Sequence, residues 1–436
     1  MPWQRRPFAG RDIARALNIA DLRDIARRRI PGFAFEYVES GAEDEATLRG
    51  NRSAFERLRF VPHTLVDTSA RHQRTAILGQ LANAPLVIAP TGLNGLLHPD
   101  GDVTLARAAA KFGVPYTLST VSTTRLEDVA RRAGGRLWMQ LYVVKDRAVA
   151  RDILQRAGAA GYEALVFTSD ANVFGNREWD QRGYRRPGQP TVRAVFDMLR
   201  HPRWVWQVLL RSGMPRFRNL ESFLPPGLTP MGASTVIPRL FDASIRWDDL
   251  DWIRQHWRGK LLIKGVLSVA DAERAAALGC DGIVVSKHGG RQLDYCVAPI
   301  EVLGEIVTAV GSRLAVIVDS GFRRGTDVVK ALALGAQAIM LGRATLYGLI
   351  AGGEAGVDRA LTILTTEIDR VLGQLGCTSI AELTPALLII RSACFSASGV
   401  TRWPDSMRPI SRVRASPLSS STSAMVRPFT SRFSTK

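Results

Sequence analysis

Eight short apolar runs, each followed by a stretch patterned for a helix, constrain most strongly what this chain can fold into. The runs are PLVIAP (85–90), YTLST (116–120), LWMQLY (137–142), ALVFTSD (164–170), LLIKG (261–265), GIVVS (282–286), LAVIVDSG (314–321) and AIMLGR (338–343). They have strand length and are bounded by polar or turn-forming residues, so they read as short buried strands. Between them lie DVTLARAAAKFG, LEDVARRAGG, DRAVARDILQRAG, VADAERAAALG and GTDVVKALALG, which are amphipathic and end on the glycine that helix C-termini favour. Eight strands alternating with helices predict an α/β fold, a (β/α)8 TIM barrel. The alternative is a doubly wound open sheet, but the G-x-G-x-x-G fingerprint is missing after the first strand.

In a barrel, polar residues at the strand ends converge on one mouth. Here they are Thr91, Ser119, Gln140, Tyr142, Thr168, Asp170, Lys264, Ser286, His288, Asp319 and Arg343. The densest stretch is GIVVSKHGGRQLD (282–294), a strand that runs straight into a base and a cation. His288 can exchange a proton near neutral pH, and Arg291 offers a fixed fork of donors to a carboxylate. Together they suit an anionic substrate that must lose a proton. After the seventh and eighth strands come DSGFRRG and LGRA, where barrels commonly hold a phosphate. Gly321, Arg323, Gly342 and Arg343 supply N–H groups and guanidinium forks for one. Because Arg291 is free for the substrate's own charge, that phosphate is expected on a cofactor.

The flanks divide the chain into a helical cap (1–80), the barrel (81–385) with an insertion at 175–246 after strand four, and a tail (386–436). Tyr37 is the aromatic of interest in the cap. Within the insertion, residues 191–220 mix Val, Phe, Met, Leu and Trp with six arginines and a single acid, Asp197. That composition predicts an interfacial helix on an anionic membrane; the alternative is a helix packed on a neighbouring subunit or over the mouth. The chain carries 58 Lys+Arg against 40 Asp+Glu, but no basic and aromatic interleaving of the kind that binds RNA, so nucleic acid is not an expected partner. Four cysteines without metal-ligand spacing imply a reducing compartment and no metal site. The N-terminus lacks an apolar signal core, which places the protein on the cytoplasmic side, peripheral to the inner membrane if the insertion binds lipid. The tail is Ser, Arg, Thr and Pro with one acid, Asp405, and is expected to be disordered.

The segments SKHGGRQLD (286–294), DSGFRRGTD (319–327), QLY (140–142), IKGV (263–266) and EYVESGAED (36–44) resemble those of the FMN-dependent 2-hydroxy-acid oxidoreductases, the family of glycolate oxidase, L-lactate dehydrogenase and (S)-mandelate dehydrogenase. The resemblance covers about residues 11–385. Within the family, PTGLNG (90–95), HPRW (201–204), SGMP (212–215) and residues 319–349 are most similar to the mandelate branch. It implies FMN as cofactor, a small 2-hydroxy acid as substrate, and oxidation to the 2-oxo acid. It also implies a homo-oligomer, a tetramer in relatives, with electrons passing to a quinone or the respiratory chain. His288 corresponds to the catalytic base and Asp170 to the carboxylate that orients it. Tyr37, Arg177 and Arg291 correspond to the groups binding the substrate carboxylate, Tyr142 to the tyrosine near its hydroxyl, and Lys264 to the cation beside the flavin. Pro90, Thr91, Gly92, Ser119, Gln140, Thr168 and Ser286 correspond to residues lining the flavin, and Asp319, Gly321, Arg323, Gly342 and Arg343 to those holding its ribityl phosphate.

Three positions depart from the family. Lys287 stands where asparagine is usual, and a cation there is expected to lower the pKa of His288. Val121 replaces a large aromatic of glycolate oxidase, and Gly92 replaces a common alanine. Both changes are expected to enlarge the pocket, favouring (S)-mandelate over L-lactate or glycolate. A flavin-binding protein with little turnover is the alternative of a different class.

Overall fold

The computed structural model describes residues 8–182, 184–186, 189–224 and 239–390. The chain divides into two compact units, Met1–Ala393 and Cys394–Lys436, and all of the second lies outside the described residues. In the first, eight parallel strands close into a barrel. They are β1 (Leu86–Ile88), β2 (Tyr116–Leu118), β3 (Leu137–Leu141), β4 (Ala164–Thr168), β5 (Lys260–Val266), β6 (Gly282–Val285), β7 (Ala315–Val318) and β8 (Ala338–Leu341). All eight fall on the apolar runs, and a helix follows each before the next begins, as the (β/α)8 reading requires. That alternation encloses the sheet, so both strand faces are buried and the runs are apolar throughout.

The period of two along each strand builds the site. Val87, Trp138, Val166, Leu262, Val284, Ile317 and Met340 form a cluster of their own, separate from the core under the helices. Moving two residues up the same inner face reaches Ala89, Gln140, Thr168, Lys264, Ser286, Asp319 and Gly342 in turn, most of them polar. The barrel is therefore apolar at its base and polar at its mouth. A hairpin of Thr75–Ile77 and Gln80–Ala82 closes the base, with Ile77 and Ala82 inside the same cluster. Trp138 is fully buried there, and its indole N–H donates to Glu163 Oε1 at 2.5 Å.

Pairing is regular except on β5, where the register with β6 shifts between Lys264 and Val266. Gly265 sits in that irregularity with φ +109, and a Cβ on it would come within 2.7 Å of the Asp170 side chain. A side chain at 265 would thus be strained by its backbone and would push Asp170 out of place.

The helical cap is present as Ile19–Arg27, Gly32–Glu39 and Ala46–Ser53. Asn18 opens the first by accepting from the Asp21 N–H at 3.0 Å. Two boundaries differ from expectation. The division at residue 80 falls inside the base hairpin. The tail does not begin at 386: Leu387 is 2% exposed, and Leu388–Ile390 pair antiparallel with Leu58–Phe60. Residues 391–436, the remainder of the expected tail, lie outside the described residues. The insertion is not one interfacial helix but Val192–Leu199 and Pro202–Trp204, the latter running into π-helical Val205–Arg211. Trp204, Val208, Phe217 and Leu220 are buried against the body, while Val192, Phe196, Leu199, Trp206 and Leu210 are exposed. The segment thus has one face packed on the body and one apolar face exposed.

Because Leu387 anchors the closing strand, Leu387→Ala is expected to destabilise the protein by about 3 kcal/mol through lost burial and the cavity left behind. A lower urea midpoint with unchanged slope is the expected result.

Candidate active site

At the mouth, four ionisable groups from four strand ends meet: Lys264, Asp319, Asp170 and His288. Lys264, 4% exposed, donates from Nζ to Ser286 Oγ at 2.7 Å and lies 3.3 Å from Asp319 Oδ2. Burial disfavours its charge, yet Asp319 and Asp170 more than compensate and raise its pKa, so it is a fixed cation. Burial would likewise raise Asp170, but Lys264, His288 and Lys287 pull it down to about 2. Its Oδ1 lies 3.0 Å from His288 Nδ1, and its Oδ2 is buried with no hydrogen-bond partner among the described residues. An ionised Asp170 accepts the Nδ1–H, which leaves Nε2 as the basic nitrogen. Nε2 lies 3.3 Å from the Tyr142 hydroxyl.

His288 is held below the ordinary imidazole value of 6.5 chiefly by burial, with Lys264 and Arg177 pushing the same way and Asp170 opposing. Lys287, expected to lower His288, contributes to the downward pull on Asp170. The backbone of His288 has φ +51, and its N–H donates to Ser286 Oγ at 3.1 Å, so the same hydroxyl positions both the base and the lysine. Tyr142 is pushed far above its ordinary value by burial and by Asp170, so it remains a neutral hydroxyl.

Beside this cluster Arg177 and Arg291 share one wall with Tyr37. Arg177 donates to the Arg291 carbonyl at 3.0 Å and to Gln292 Oε1 at 3.2 Å, and its guanidinium covers the Phe174 ring at 4.1 Å. Burial first, and then Arg291, lowers its pKa to about 9. Arg291 donates to the Ser40 carbonyl at 2.8 Å and pairs with Asp180 at 3.3 Å. Two buried guanidiniums that repel each other favour an anion between them and the base.

A cavity of about 740 Å³ joins these groups. Tyr37, Pro90, Thr91, Gly92, Ser119, Val121, Tyr142, Arg177, Lys264, His288, Arg291, Asp319, Gly321, Arg323, Gly342 and Arg343 all border it. Four expected residues do not. Asp170 stands behind His288, and Ser286 stands beneath the Lys264 and His288 contacts. Gln140 links Ser119 Oγ and the Thr120 N–H, each at 3.1 Å, to Thr168 Oγ1 at 3.0 Å. Gln140, Thr168 and Ser286 are thus the supporting layer, one step below the surface expected to touch a ligand.

Two expectations change. Gly92 and Val121 do not both widen the cavity: a Cβ at 92 would stand 2.6 Å from Val121 Cγ2, so Val121 already fills the space an alanine methyl would take. Arg343, expected on the phosphate, directs Nε, Nη1 and Nη2 to the carbonyls of Val38, Gly289 and Ser40 at 2.7, 2.8 and 2.8 Å. A buried guanidinium needs acceptors, and these tie the cap to the barrel. Asp180 and Gln292 were not among the expected site residues, although Asp180 follows Arg177 by three residues and Gln292 lies inside SKHGGRQLD.

The model of the FMN-dependent dehydrogenases matches residues 26–390. This chain belongs to that family. It is 47% identical over 372 residues to (S)-mandelate dehydrogenase of Pseudomonas putida, covering 85% of this chain and 93% of the relative. It is 42% identical to an L-lactate dehydrogenase of Xanthomonas campestris pv. campestris, covering 84% and 95%. Among solved structures, the monotopic membrane protein (S)-mandelate dehydrogenase superposes with a TM-score of 0.82 at 45% identity, over 86% of this chain and all of the other. A mandelate oxidase variant with (S)-mandelic acid gives 0.71 at 36% identity, over 86% and 98%. The protein is an FMN-dependent 2-hydroxy-acid dehydrogenase, an oxidoreductase acting on CH–OH.

The residues present suit FMN. A Cβ added at Gly342 would meet no atom within 4 Å, so the chain is bare where the helix Arg343–Leu375 turns its N-terminus to the cavity. Arg323 borders the same end and Lys264 the other. Residues at the ends of β1, β2, β5, β7 and β8 all border the cavity, a spread of contacts that suits a flat ring with a phosphorylated tail.

The lowered His288 pKa fixes the sign of the pH dependence. Only neutral imidazole accepts a proton, so kcat/KM is expected to rise with pH through a midpoint below 6.5 and to be flat above it. Asp170→Asn removes the group that opposes the lowering, so the rise should move to still lower pH while the plateau drops roughly 10²-fold or more. A plateau unchanged by Asp170→Asn would separate the pair.

Proposed function

We propose that this enzyme oxidises (S)-mandelate to benzoylformate at the membrane surface, with His288 as the base. The reading rests on one observation: the cavity lined by Arg177, Arg291 and His288 is also lined by Leu93, Val121 and Phe241, an apolar set that suits a phenyl ring. The substrate carboxylate lies between the two guanidiniums and the Tyr37 hydroxyl. Its hydroxyl faces Tyr142 and its reacting carbon faces His288. Nε2 takes a proton, and Asp170 stabilises the resulting imidazolium. Bound FMN would supply the two-electron acceptor, and Lys264 would stabilise negative charge on its ring. The alcohol loses two electrons and two protons in becoming the oxo acid.

Anaerobic mixing of the yellow protein with (S)-mandelate, L-lactate or glycolate tests this reading. Fast bleaching by mandelate alone is expected. Preferential bleaching by lactate would assign the other branch, and no bleaching by any of the three would reduce the protein to a flavin binder. His288→Ala should keep the flavin, whose contacts come from other strands, and lower the reduction rate by about 10²-fold to 10⁴-fold. A colourless variant would contradict the role given to His288.

Peripheral attachment to the membrane is supported by the insertion's exposed face. Val192, Phe196, Leu199, Trp206 and Leu210 are all more than half exposed and are interspersed with Arg193, Arg200, Arg203 and Arg211. Apolar residues that enter the lipid boundary, flanked by arginines for anionic headgroups, are what surface binding needs. No helix among the described residues is long and apolar enough to cross a bilayer. Replacing Phe196, Leu199, Trp206 and Leu210 with glutamine should release the protein from anionic vesicles and leave flavin reduction unchanged, as none of the four borders the cavity. Continued sedimentation with the vesicles would refute the attachment.

A further inference from the structure

The two guanidiniums that would hold the substrate carboxylate already face an anion of the protein's own. Asp180, on the short helix Glu178–Gln181, borders the same cavity, and its Oδ2 lies 3.3 Å from Arg291 Nη2. Its other oxygen is fixed from the end of the cap helix: the Ser40 hydroxyl donates to Oδ1 at 2.6 Å, while the Ser40 carbonyl accepts from Arg291 Nη1 at 2.8 Å. Asp180 is therefore anchored closely through Ser40 and only loosely to the guanidinium, since a charged N–H···O contact ordinarily closes to about 2.7–2.9 Å. Its field reaches the rest of the cradle. Arg177, held low by burial and then by Arg291, is drawn back up by Asp180, and Tyr37, raised chiefly by burial, is raised further by it.

A fixed carboxylate beside an anion site has two opposed effects. Without substrate it offsets the repulsion between Arg177 and Arg291. Once a substrate carboxylate arrives, Arg291 faces two anions, and like charges a few ångströms apart repel. We propose that Asp180 is the resident counter-ion of the carboxylate cradle, and that it lowers the cradle's affinity for substrate and product alike, so that the 2-oxo acid, which carries the same carboxylate, is released. Because the Ser40 hydroxyl holds Oδ1, Asp180 stays at the cradle instead of turning to solvent, and the repulsion persists in the complex. The inference rests on the placement of the substrate carboxylate between Arg177 and Arg291, and it adds to that placement an anion that opposes binding.

The holoenzyme is titrated with phenylacetate and propionate, carboxylates that have no hydroxyl to oxidise, and with their neutral amides, each followed by the perturbation of flavin absorbance. Two side chains make the result independent of which acid the cavity prefers. Asp180→Asn removes the charge and keeps the shape, and Asp180→Ser removes the charge in a smaller side chain. In both variants the carboxylates should bind roughly tenfold tighter, as loss of a like charge a few ångströms away implies, while the uncharged amides should stay within about twofold of the parent. Inhibition by the 2-oxo acid should strengthen by the same factor as carboxylate binding. A residue that only orients Arg291 would give the opposite sign, so weaker or unchanged carboxylate binding in the neutral variants would overturn the proposal. Equal tightening of carboxylates and amides would overturn it too, because charge would not be the cause. Arg291→Ala tests the cradle itself. Weaker carboxylate binding there upholds the cradle, so that a wrong sign at Asp180 sinks this inference alone; undiminished binding would overturn the cradle and this inference with it.

Discussion

The buried Lys264 ammonium is the charge around which the mouth of the barrel is arranged. A cation with so little exposure is tolerable only with anions and acceptors at hand, and Asp319, Ser286 and Asp170 provide them. The consequences pass from group to group. Lys264 helps keep Asp170 ionised, an ionised Asp170 fixes the His288 proton on Nδ1, and that leaves Nε2 free toward the cavity. Burial, aided by the same positive field, lowers His288 and favours the neutral imidazole that can accept a proton. One buried cation therefore acts on Asp319 on one side and on the Asp170 and His288 pair on the other. The β5 irregularity at Gly265 permits this closeness, because any side chain there would collide with Asp170.

Much of this was legible in the sequence because barrel strands obey a period of two. Once Trp138 or Leu262 is assigned to the inner face, Gln140 or Lys264 must share that face one step nearer the mouth. The polar ends thus announce themselves as a set. What the pattern could not separate is a residue that touches a ligand from one that supports it. Gln140, Thr168 and Ser286 have the same inward register as Ser119 and Lys264, yet they stand below the cavity surface. That distinction depends on the height at which each strand ends, which is a property of barrel tilt and not of any one run.

Other features were hidden because they are contacts between segments far apart in the chain. Arg343 reads locally as an anion fork at a helix start, but the cap brings the carbonyls of Val38 and Ser40 to it from more than three hundred residues away. Gly92 and Val121 read as two independent enlargements until the first two strand ends are placed side by side, when one is seen to fill the other. Leu388–Ile390 carry the start of a tail by composition and become a strand only because Leu58–Phe60 offers an open edge. Ser40 and Asp180 were missed for the same reason: the Ser40 hydroxyl donates to Asp180 at 2.6 Å, and together they orient Arg291 from outside its own motif.

The insertion shows how a segment can be a surface and part of an active site at once. Its helices are short, so one turn can face the body while the next faces outward. Trp204 and Val208 hold it down while Trp206 and Leu210 face away. Asp197, the single acid among its arginines, accepts from the Gly32 N–H at 2.6 Å and so pins the insertion to the cap helix that carries Tyr37. That bond has a chemical logic. An acid on a lipid-facing helix would be repelled by anionic headgroups, and here its charge is directed at a helix N-terminus, where a negative group is favoured. Phe33 and Tyr37 on that cap helix and Met198 and Trp204 on the insertion border the same cavity, so the contact holds the two elements as one wall of it.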